Sequence, residues 1–177
     1  MWSKFTCLCC VFMALLPTGA CAQVDNDNDV KTAMERLDFL VGNWGGEGLS
    51  FADDGGSSAY YDTEHVRFDL DNKLLLLNAK GSRDGEVTYQ LHTVVYYDME
   101  AGHYVYTPYA GGRKARSLTC ELKTQKFICL DEREVFRLTF QRLPDGRWNE
   151  FGERLTYDVW RKTFETKLTE LKGKEVP

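Results

Sequence analysis

The chain has 177 residues, which is the length of one ordinary domain with an extension. Its 22 basic and 27 acidic residues give a net charge of −5, and no basic cluster is larger than Arg113-Lys114-Ala115-Arg116. Nucleic acids and anionic membranes both require basic patches on the proteins that bind them. The composition therefore argues against either one as a partner.

The first 22 residues have the pattern of a secretory signal peptide. Lys4 precedes the apolar run Cys7–Leu16, and Ala20-Cys21-Ala22 supplies the small residues of a cleavage site. The run is shorter than the roughly 20 residues that span a bilayer. The pattern predicts a secreted or periplasmic protein that is cleaved near Ala22 and is not inserted in a membrane after processing. Removal of Lys4 would leave 21 basic and 27 acidic residues, a net charge of −6.

A bacterial lipoprotein, acylated on Cys21, is the alternative form of processing. Such a signal normally carries Leu or a similar residue three positions before the cysteine, and Thr18 occupies that position here. We therefore prefer cleavage near Ala22 to lipid attachment.

One short helix is predicted next. Residues 23–29 (QVDNDND) are polar and acidic, which indicates a flexible leader. Asp29 is a suitable N-cap, and Gly42 suits the left-handed C-terminal cap. Between them the apolar residues recur at helical spacing, at Val30, Ala33, Met34, Leu37 and Val41. The sequence thus predicts an amphipathic helix that ends at Gly42.

From Trp44 onwards the helical period gives way to short alternating segments. Nine or ten of them follow at intervals of about ten residues, separated by turn compositions such as DNK, SRDG, MEAG and PDG. A meander of this length has to close in order to protect its edges. The prediction is an all-β fold, an antiparallel up-and-down β-barrel of about 8–10 strands with one short N-terminal helix. It occupies a single domain over residues 30–172, followed by a tail at 173–177.

Alternation also predicts which side chains face the interior. Four segments carry large apolar residues on one face. The predicted inward residues are Val66, Phe68 and Leu70; Tyr89, Leu91, Val95 and Tyr97; Phe136, Leu138 and Phe140; and Trp160, Phe164 and Leu168.

A disulfide is predicted between the two cysteines that remain after residue 22. If SLTCELKTQKFICLD forms a hairpin that turns at Thr124-Gln125, Cys120 lies directly opposite Cys129. Opposed residues are about 4.5–5.5 Å apart, which is within disulfide reach. An exported protein meets oxidising conditions. Two buried free thiols are the alternative.

The MEAG hairpin is rich in tyrosine on both faces. With the turn centred there, Tyr97 pairs with His103, so that Tyr96 faces Tyr104 and Val94 faces Tyr106. Two interpretations remain open. The N-terminal helix or the partner subunit of a homodimer covers one face, or Tyr96, Tyr104 and Tyr106 line a ligand site.

The stretch LDFLVGNWGGEG has neither the glycine spacing nor the following Lys-Ser or Lys-Thr of a phosphate loop. Glycines at these positions let a first strand bend and pass close to its neighbours, while Trp44 plugs one end of the barrel. A short helix followed by G-x-W resembles the start of the calycin proteins, the lipocalins and their relatives. The longer form Phe39-Leu40-Val41-Gly42-x-Trp44-x-Gly46-x-Gly48 looks more like nitrobindin-type barrels and a related bacterial family of unknown function. Gly146–Trp148 and Trp160–Glu165 resemble the final strands of that second family.

The resemblance bears on cofactors as well as on the fold. Nitrobindins bind haem through a histidine near the C-terminus, and the histidines here are His65, His92 and His103. The chain therefore has no histidine at the position of the haem ligand of nitrobindins, and no haem is expected. His65 and His92 fall on strands that are not neighbours and share the parity of outward residues, so no metal site is predicted either.

Three hypotheses of function follow. The first is an exported barrel that binds a small, largely apolar molecule in its interior, with contacts from Trp44, Tyr89, Tyr96, Tyr104, Tyr106 and Arg154. The second is a barrel enzyme of isomerase or hydrolase type that uses a buried Tyr, Arg or Glu as acid or base, although no nucleophile–base–acid set is recognisable. The third is a solidly packed structural or interaction domain. A cavity would favour the first two, and a titratable pair with perturbed pKa values inside it would favour the enzyme.

Overall fold

The computed structural model describes residues 21–172. Residues 1–20 of the predicted signal peptide and the predicted tail, residues 173–177, lie outside that range. Helix α1 (Cys21–Glu35) is followed by a 3₁₀ turn (Asp38–Leu40) and by ten strands. The strands are β1 (Gly42–Phe51), β2 (Ser57–Asp69), β3 (Leu74–Arg83), β4 (Glu86–Asp98), β5 (His103–Tyr109), β6 (Leu118–Lys123), β7 (Lys126–Leu130), β8 (Phe136–Arg142), β9 (Trp148–Thr156) and β10 (Val159–Glu170).

Each strand pairs with the next along the chain in antiparallel fashion, and β1 pairs with β10 to close the barrel. The predicted all-β, up-and-down barrel with one helix is confirmed. Because the chain runs up and down, its connections alternate between two ends of the barrel. We call the end with residues 70–73, 99–102, 124–125 and 143–147 the helix end, since α1 packs there, and the opposite end the mouth.

Helix α1 differs in extent from the predicted helix. It begins at Cys21, so residues 23–29 are helical, and it ends at Glu35, well before Gly42. The chain then tightens, because the backbone N–H of Leu37 donates to the carbonyl of Met34, three residues earlier. This turn brings Leu37 and Leu40 into the barrel, where both are buried. Burial of these two side chains accounts for the early end of the helix.

Ion pairs and a hydrogen bond attach α1 to the strands. The Lys31 ammonium pairs with Asp71, and that of Lys73 lies 2.7 Å from the carboxylate of Asp27. The hydroxyl of Tyr104 donates to the carbonyl of Ala33 at 2.7 Å. These contacts hold the helix across the helix end of the barrel.

Aromatic residues fill the helix end of the interior. The rings of Trp44 and Trp148 meet edge to face with centroids 5.5 Å apart, and both side chains are buried. The Trp44 indole N–H donates to the carbonyl of Leu40 at 2.9 Å. Phe140 extends the cluster from Trp148 to Phe127. This end of the barrel is therefore packed solid, and Trp44 closes it as predicted.

Two glycines of β1 allow the close approaches that the sequence predicted. A Cβ on Gly46 would lie 2.0 Å from the carbonyl oxygen of Lys167 in β10. A Cβ on Gly48 would lie 2.3 Å from the ring of Tyr60 in β2. Glycine is the residue that fits where a neighbouring backbone or ring comes this near.

Two details of the strand register correct the sequence analysis. In the β4–β5 hairpin Asp98 pairs with His103, so Tyr97 lies opposite Tyr104 and Val95 opposite Tyr106. The connection is thus one residue shorter than predicted, which places Tyr104 and Tyr106 on the inner face with Tyr97 and Val95, and not on the outer face with Tyr96. A one-residue change of register reverses the face of every side chain that follows.

Trp160 is the second correction. A bulge between Lys162 and Phe164 interrupts the alternation of β10. Phe164 and Leu168 remain inside, whereas the ring of Trp160 lies under the guanidinium of Arg137, 4.3 Å from its centroid, on the outside. Leu70, predicted to face the core, is 61% exposed in the β2–β3 turn.

The predicted disulfide joins Cys120 and Cys129. These residues are directly opposed in the β6–β7 hairpin, and Thr124 and Gln125 form its turn with positive φ angles of 37° and 61°. The bond is compatible with an extracellular or periplasmic location. Among residues 21–172, the single helix is not of the length and apolar character that a membrane span requires.

Candidate functional site

Three carboxyl groups lie inside the mouth half of the barrel. On β2 the alternation that buries Val66 also turns Glu64 and Asp62 inward, and on β9 Glu150 shares the inner face with Trp148. The exposed fractions are 2% for Asp62, 3% for Glu64 and 8% for Glu150. Carboxyl groups are rarely buried this completely without a partner.

A cavity of about 430 Å³ is lined by Glu64 and Glu150, and Asp62 is joined to it through the hydrogen bond with the lining residue Tyr89. Leu77, Ala79, Leu91 and Phe164 form its apolar walls. Its polar lining includes Tyr60, Glu64, Tyr89, Thr93, Tyr106 and Glu150. Ser50 and Arg83, at the ends of their strands, line it on the mouth side, so the cavity opens in that direction. The volume is within the range of about 300–1,000 Å³ that is usual for small-molecule sites.

A second cavity of about 410 Å³ adjoins the first. The two share Leu91, Tyr106, Glu150 and Phe164 as lining residues, so Glu150 stands between them. Arg116, Arg133 and Arg154 line the second cavity together with Asp131. Three arginines thus line the second cavity, near the mouth, whereas Glu64 lines only the first cavity and Glu150 lines both.

Hydrogen bonds arrange the polar groups of the first cavity. The hydroxyl of Tyr89 donates to Oδ2 of Asp62 at 2.6 Å. Tyr60 and Thr166 share a hydrogen bond of 2.5 Å between their hydroxyls. Glu64, in its protonated form, donates to Glu150. Two buried acceptors, Oδ1 of Asp62 and Oε2 of Glu150, have no hydrogen-bond partner.

Burial raises the pKa of all three carboxyls, since the charged form loses its hydration. The pKa of Glu150 rises from 4.5 to about 7, chiefly through burial, with the charge of Asp62 adding to the rise and the hydrogen bond from Glu64 opposing it. The pKa of Glu64 is raised well above its usual value by burial and by the nearby charges of Glu150 and Asp62. Burial raises the pKa of Asp62 to about 6 against the hydrogen bond from Tyr89. A site with such groups can give or take a proton near neutral pH.

The structure brings together only part of the predicted ligand set. Tyr89 and Tyr106 line the first cavity, and Arg154 lines the second, which Tyr106 also reaches. The other three residues lie elsewhere. Trp44 belongs to the packed helix end, and Tyr104 packs against Tyr97 and Phe127 beneath α1.

Tyr96 is on the outer face and 39% exposed. Its neighbours Val95 and Tyr97 face the interior, and the observed β4–β5 register puts Tyr104 and Tyr106 on that inner face and not beside Tyr96. The predicted grouping of Tyr96, Tyr104 and Tyr106 around one site is therefore wrong.

Asp62, Glu64 and Glu150 were missed by the sequence analysis, although a signal was present. Glu64 and Asp62 precede the core residue Val66 by two and four positions, which places them on the same face of one strand. Glu150 follows Trp148 by two positions. Charged residues on an apolar face are the observation that would have identified the site.

No group of three or more His, Cys, Asp or Glu side chains in residues 21–172 has the arrangement of a metal site. The ring nitrogen Nδ1 of His65 lies 2.6 Å from Oδ1 of Asn43, and that of His92 lies 2.7 Å from Oδ1 of Asn78. Neither histidine lines the two interior cavities.

Comparison with known proteins supports the fold and is silent on activity. No protein-family profile matches the chain, and no curated protein sequence matches it. Among solved structures, the crystal structure of Rv2717c from M. tuberculosis is similar, with a TM-score of 0.58 and 11% sequence identity. The similarity covers 79% of this chain and 98% of that one. At this identity the likeness extends to the barrel fold alone.

Proposed function

We propose that this protein is an exported, calycin-type barrel that binds a small, largely apolar molecule in its interior. The observation that carries the proposal is the cavity of about 430 Å³ with walls of Leu77, Ala79, Leu91 and Phe164. Burial of apolar ligand surface against such walls contributes about 25 cal/mol per Å². The tyrosine hydroxyls and carboxyls on the other side would orient the polar part of the ligand.

Three further features support parts of the proposal. The disulfide between Cys120 and Cys129 suits an exported protein, and residues 1–22 carry the pattern of a signal peptide. The helix followed by a glycine-flanked Trp44, which closes one barrel end, is the feature shared with the calycin proteins.

A neutral fluorophore tests the proposal directly. N-Phenyl-1-naphthylamine, which is not basic, is expected to gain fluorescence when it enters the cavity. The Ala79→Phe variant places a ring in the cavity and is expected to abolish that gain. The matched control is Ala59→Phe, which makes the same change at an exposed position of the adjoining strand β2.

Thermal unfolding of both variants shows whether they are folded. Loss of fluorophore binding in folded Ala79→Phe, with binding retained in Ala59→Phe, is the expected result. Equal binding by the two variants would place the fluorophore outside the barrel and would refute the proposal. So would the absence of binding to the unaltered protein.

A second candidate, a barrel enzyme, is favoured by the hydrogen-bonded pair Glu64 and Glu150. Two carboxyls with raised pKa values beside a cavity could move a proton on a bound ligand, as an isomerase or hydrolase requires. Native mass spectrometry of the protein purified from its source would identify a copurified ligand. Conversion of that ligand by the unaltered protein, but not by Glu150→Gln, would establish that the protein is an enzyme. Recovery of the ligand unchanged would support the carrier function instead.

A further inference from the structure

We propose that the ligand of this barrel carries a basic amine, whose ammonium group sits in the first cavity beside Glu150 and Glu64. The inference rests on the proposed binding function and names the chemical class of the ligand. Glu150 is 92% buried, since its exposed fraction is 8%, it lines both cavities, and its Oε2 has no hydrogen-bond partner. An unpaired buried acceptor of this kind destabilises the protein unless a donor reaches it, and the cost is greater when the acceptor is charged.

The charge around Glu150 is one-sided. The pKa values of the three carboxyls are shifted by burial, by the other carboxyls, by the hydroxyl of Tyr89 and by one backbone N–H. No lysine or arginine contributes to these shifts. The titratable and charged side chains that line the two cavities are Tyr60 and Glu64 of β2, Arg83 of β3, Tyr89 of β4, Tyr106 of β5, Arg154 of β9, and Arg116, Asp131 and Arg133 of the mouth loops.

The arginines do not neutralise the acids. Arg83 is exposed and its Nε donates to the carbonyl of Ala59. Arg116, Arg133 and Arg154 lie in the second cavity. A positively charged group of the ligand is therefore stabilised in the first cavity and repelled by the arginines of the second. This predicts that the ligand binds with its charged end in the first cavity.

An ammonium group satisfies this site better than a neutral donor. It brings several N–H donors for the unpaired Oε2 of Glu150, and charge-assisted hydrogen bonds to a carboxylate are about twice as strong as neutral ones. The rings of Tyr60 and Tyr89, whose centroids are 6.1 Å apart, both line the cavity, and the face of an aromatic ring attracts a cation. The apolar walls would receive the hydrocarbon part of the molecule.

A pair of probes that differ only in the terminal group tests the inference. 4-Phenylbutylamine and 4-phenylbutan-1-ol compete with N-phenyl-1-naphthylamine for the protein, and calorimetry gives their affinities. At pH 8 the amine is expected to bind at least about tenfold more tightly than the alcohol, which corresponds to one strong charged hydrogen bond. The Glu150→Gln variant is expected to lose this preference, and Glu47→Gln, a substitution on the outer face of β1, to keep it.

Binding of the amine should also release protons. Free Glu150, with a pKa of about 7, is mostly protonated at pH 6 and mostly ionised at pH 8, and the ammonium binds the ionised form. The alkylamine itself stays protonated over this range. Its affinity should therefore rise about tenfold from pH 6 to pH 8, while that of the alcohol should not change. Calorimetry at pH 7 in two buffers of different ionisation enthalpy counts the released protons.

The outcomes separate the inference from the proposed function. If the fluorophore binds inside the barrel but the amine and the alcohol bind equally, the assignment of an amine ligand is refuted and the proposed binding function is retained. Retention of the preference in Glu150→Gln would also overturn the assignment. If neither probe nor the fluorophore binds, the proposed function itself fails. Should Glu150→Gln not fold, the pH dependence and the proton release of the unaltered protein decide the matter.

Discussion

Replacement of Glu150 by glutamine is expected to stabilise the ligand-free protein at pH 8 and to bring no such gain at pH 4. Glutamine has nearly the same shape as glutamic acid and carries no charge. At pH 8 folding has to bury the Glu150 carboxylate, or else keep a proton on it, and both cost free energy. At pH 4 the side chain is mainly protonated in the folded and unfolded chains alike, so the two proteins should differ little.

The sign and the magnitude follow from the raised pKa of Glu150. A group whose pKa is higher in the folded state holds its proton longer there than in the unfolded chain, so stability is greatest below pH 4.5 and falls as the pH rises through about 7. The rise from 4.5 to about 7 corresponds to about 3 kcal/mol of unfolding free energy. Because Glu64 shares a proton with Glu150, we take this as an upper value for the advantage of Glu150→Gln at pH 8.

Denaturant unfolding of both proteins at pH 4 and pH 8, with the disulfide intact, measures the effect. The difference between the proteins cancels the other ionisable groups. Glu47→Gln, on the outer face of β1, is the control, and it is expected to give the same small difference at both pH values. A Glu150→Gln variant that is less stable than the unaltered protein at pH 8, or whose difference does not depend on pH, would refute the reasoning. Either result would mean that the carboxyl is already hydrated or paired.

Two further predictions concern the scaffold. Reduction of the bond between Cys120 and Cys129, whose separation in sequence is 9, is expected to lower the unfolding free energy by about 2–3 kcal/mol; equal denaturation midpoints with and without reductant would contradict this. Tyr104→Phe removes the hydrogen bond to the carbonyl of Ala33 and is expected to cost about 0.5–1.5 kcal/mol and to speed hydrogen exchange in α1. Tyr157→Phe, at a position that is 92% exposed, is the control, and unchanged exchange in both variants would show that this bond does not hold the helix.

Several features of the fold could be predicted because they depend on local patterns. The period of two and the turn residues indicate the number and direction of the strands, and a meander has few ways to close. The pairing of Cys120 with Cys129 depends only on the Thr124-Gln125 turn between them. The glycines at Gly46 and Gly48 likewise report on close approaches within one strand and its neighbours.

Predictions went wrong where a single residue changed the register. The β4–β5 connection is one residue shorter than the turn composition indicated, and Tyr104 and Tyr106 consequently lie on the inner face and not beside Tyr96. The bulge before Phe164 sends Trp160 to the outer face. Alternation cannot reveal such shifts, because an extra residue leaves the apolar pattern on each side of it intact.

The amino-acid sequence by itself determined the class of fold, the closure of one barrel end by Trp44 and the disulfide. Each of these depends on residues that are close in the chain or on the repeating pattern of the strands. The tertiary structure decided where the interior is left unfilled and which polar groups meet there. Glu64 and Glu150 lie on β2 and β9 and come together only because β10 and β1, which separate these two strands in the sheet, complete the closed barrel. Their burial without a basic partner is a property of the closed barrel, and it is this property that gives the cavity its chemistry.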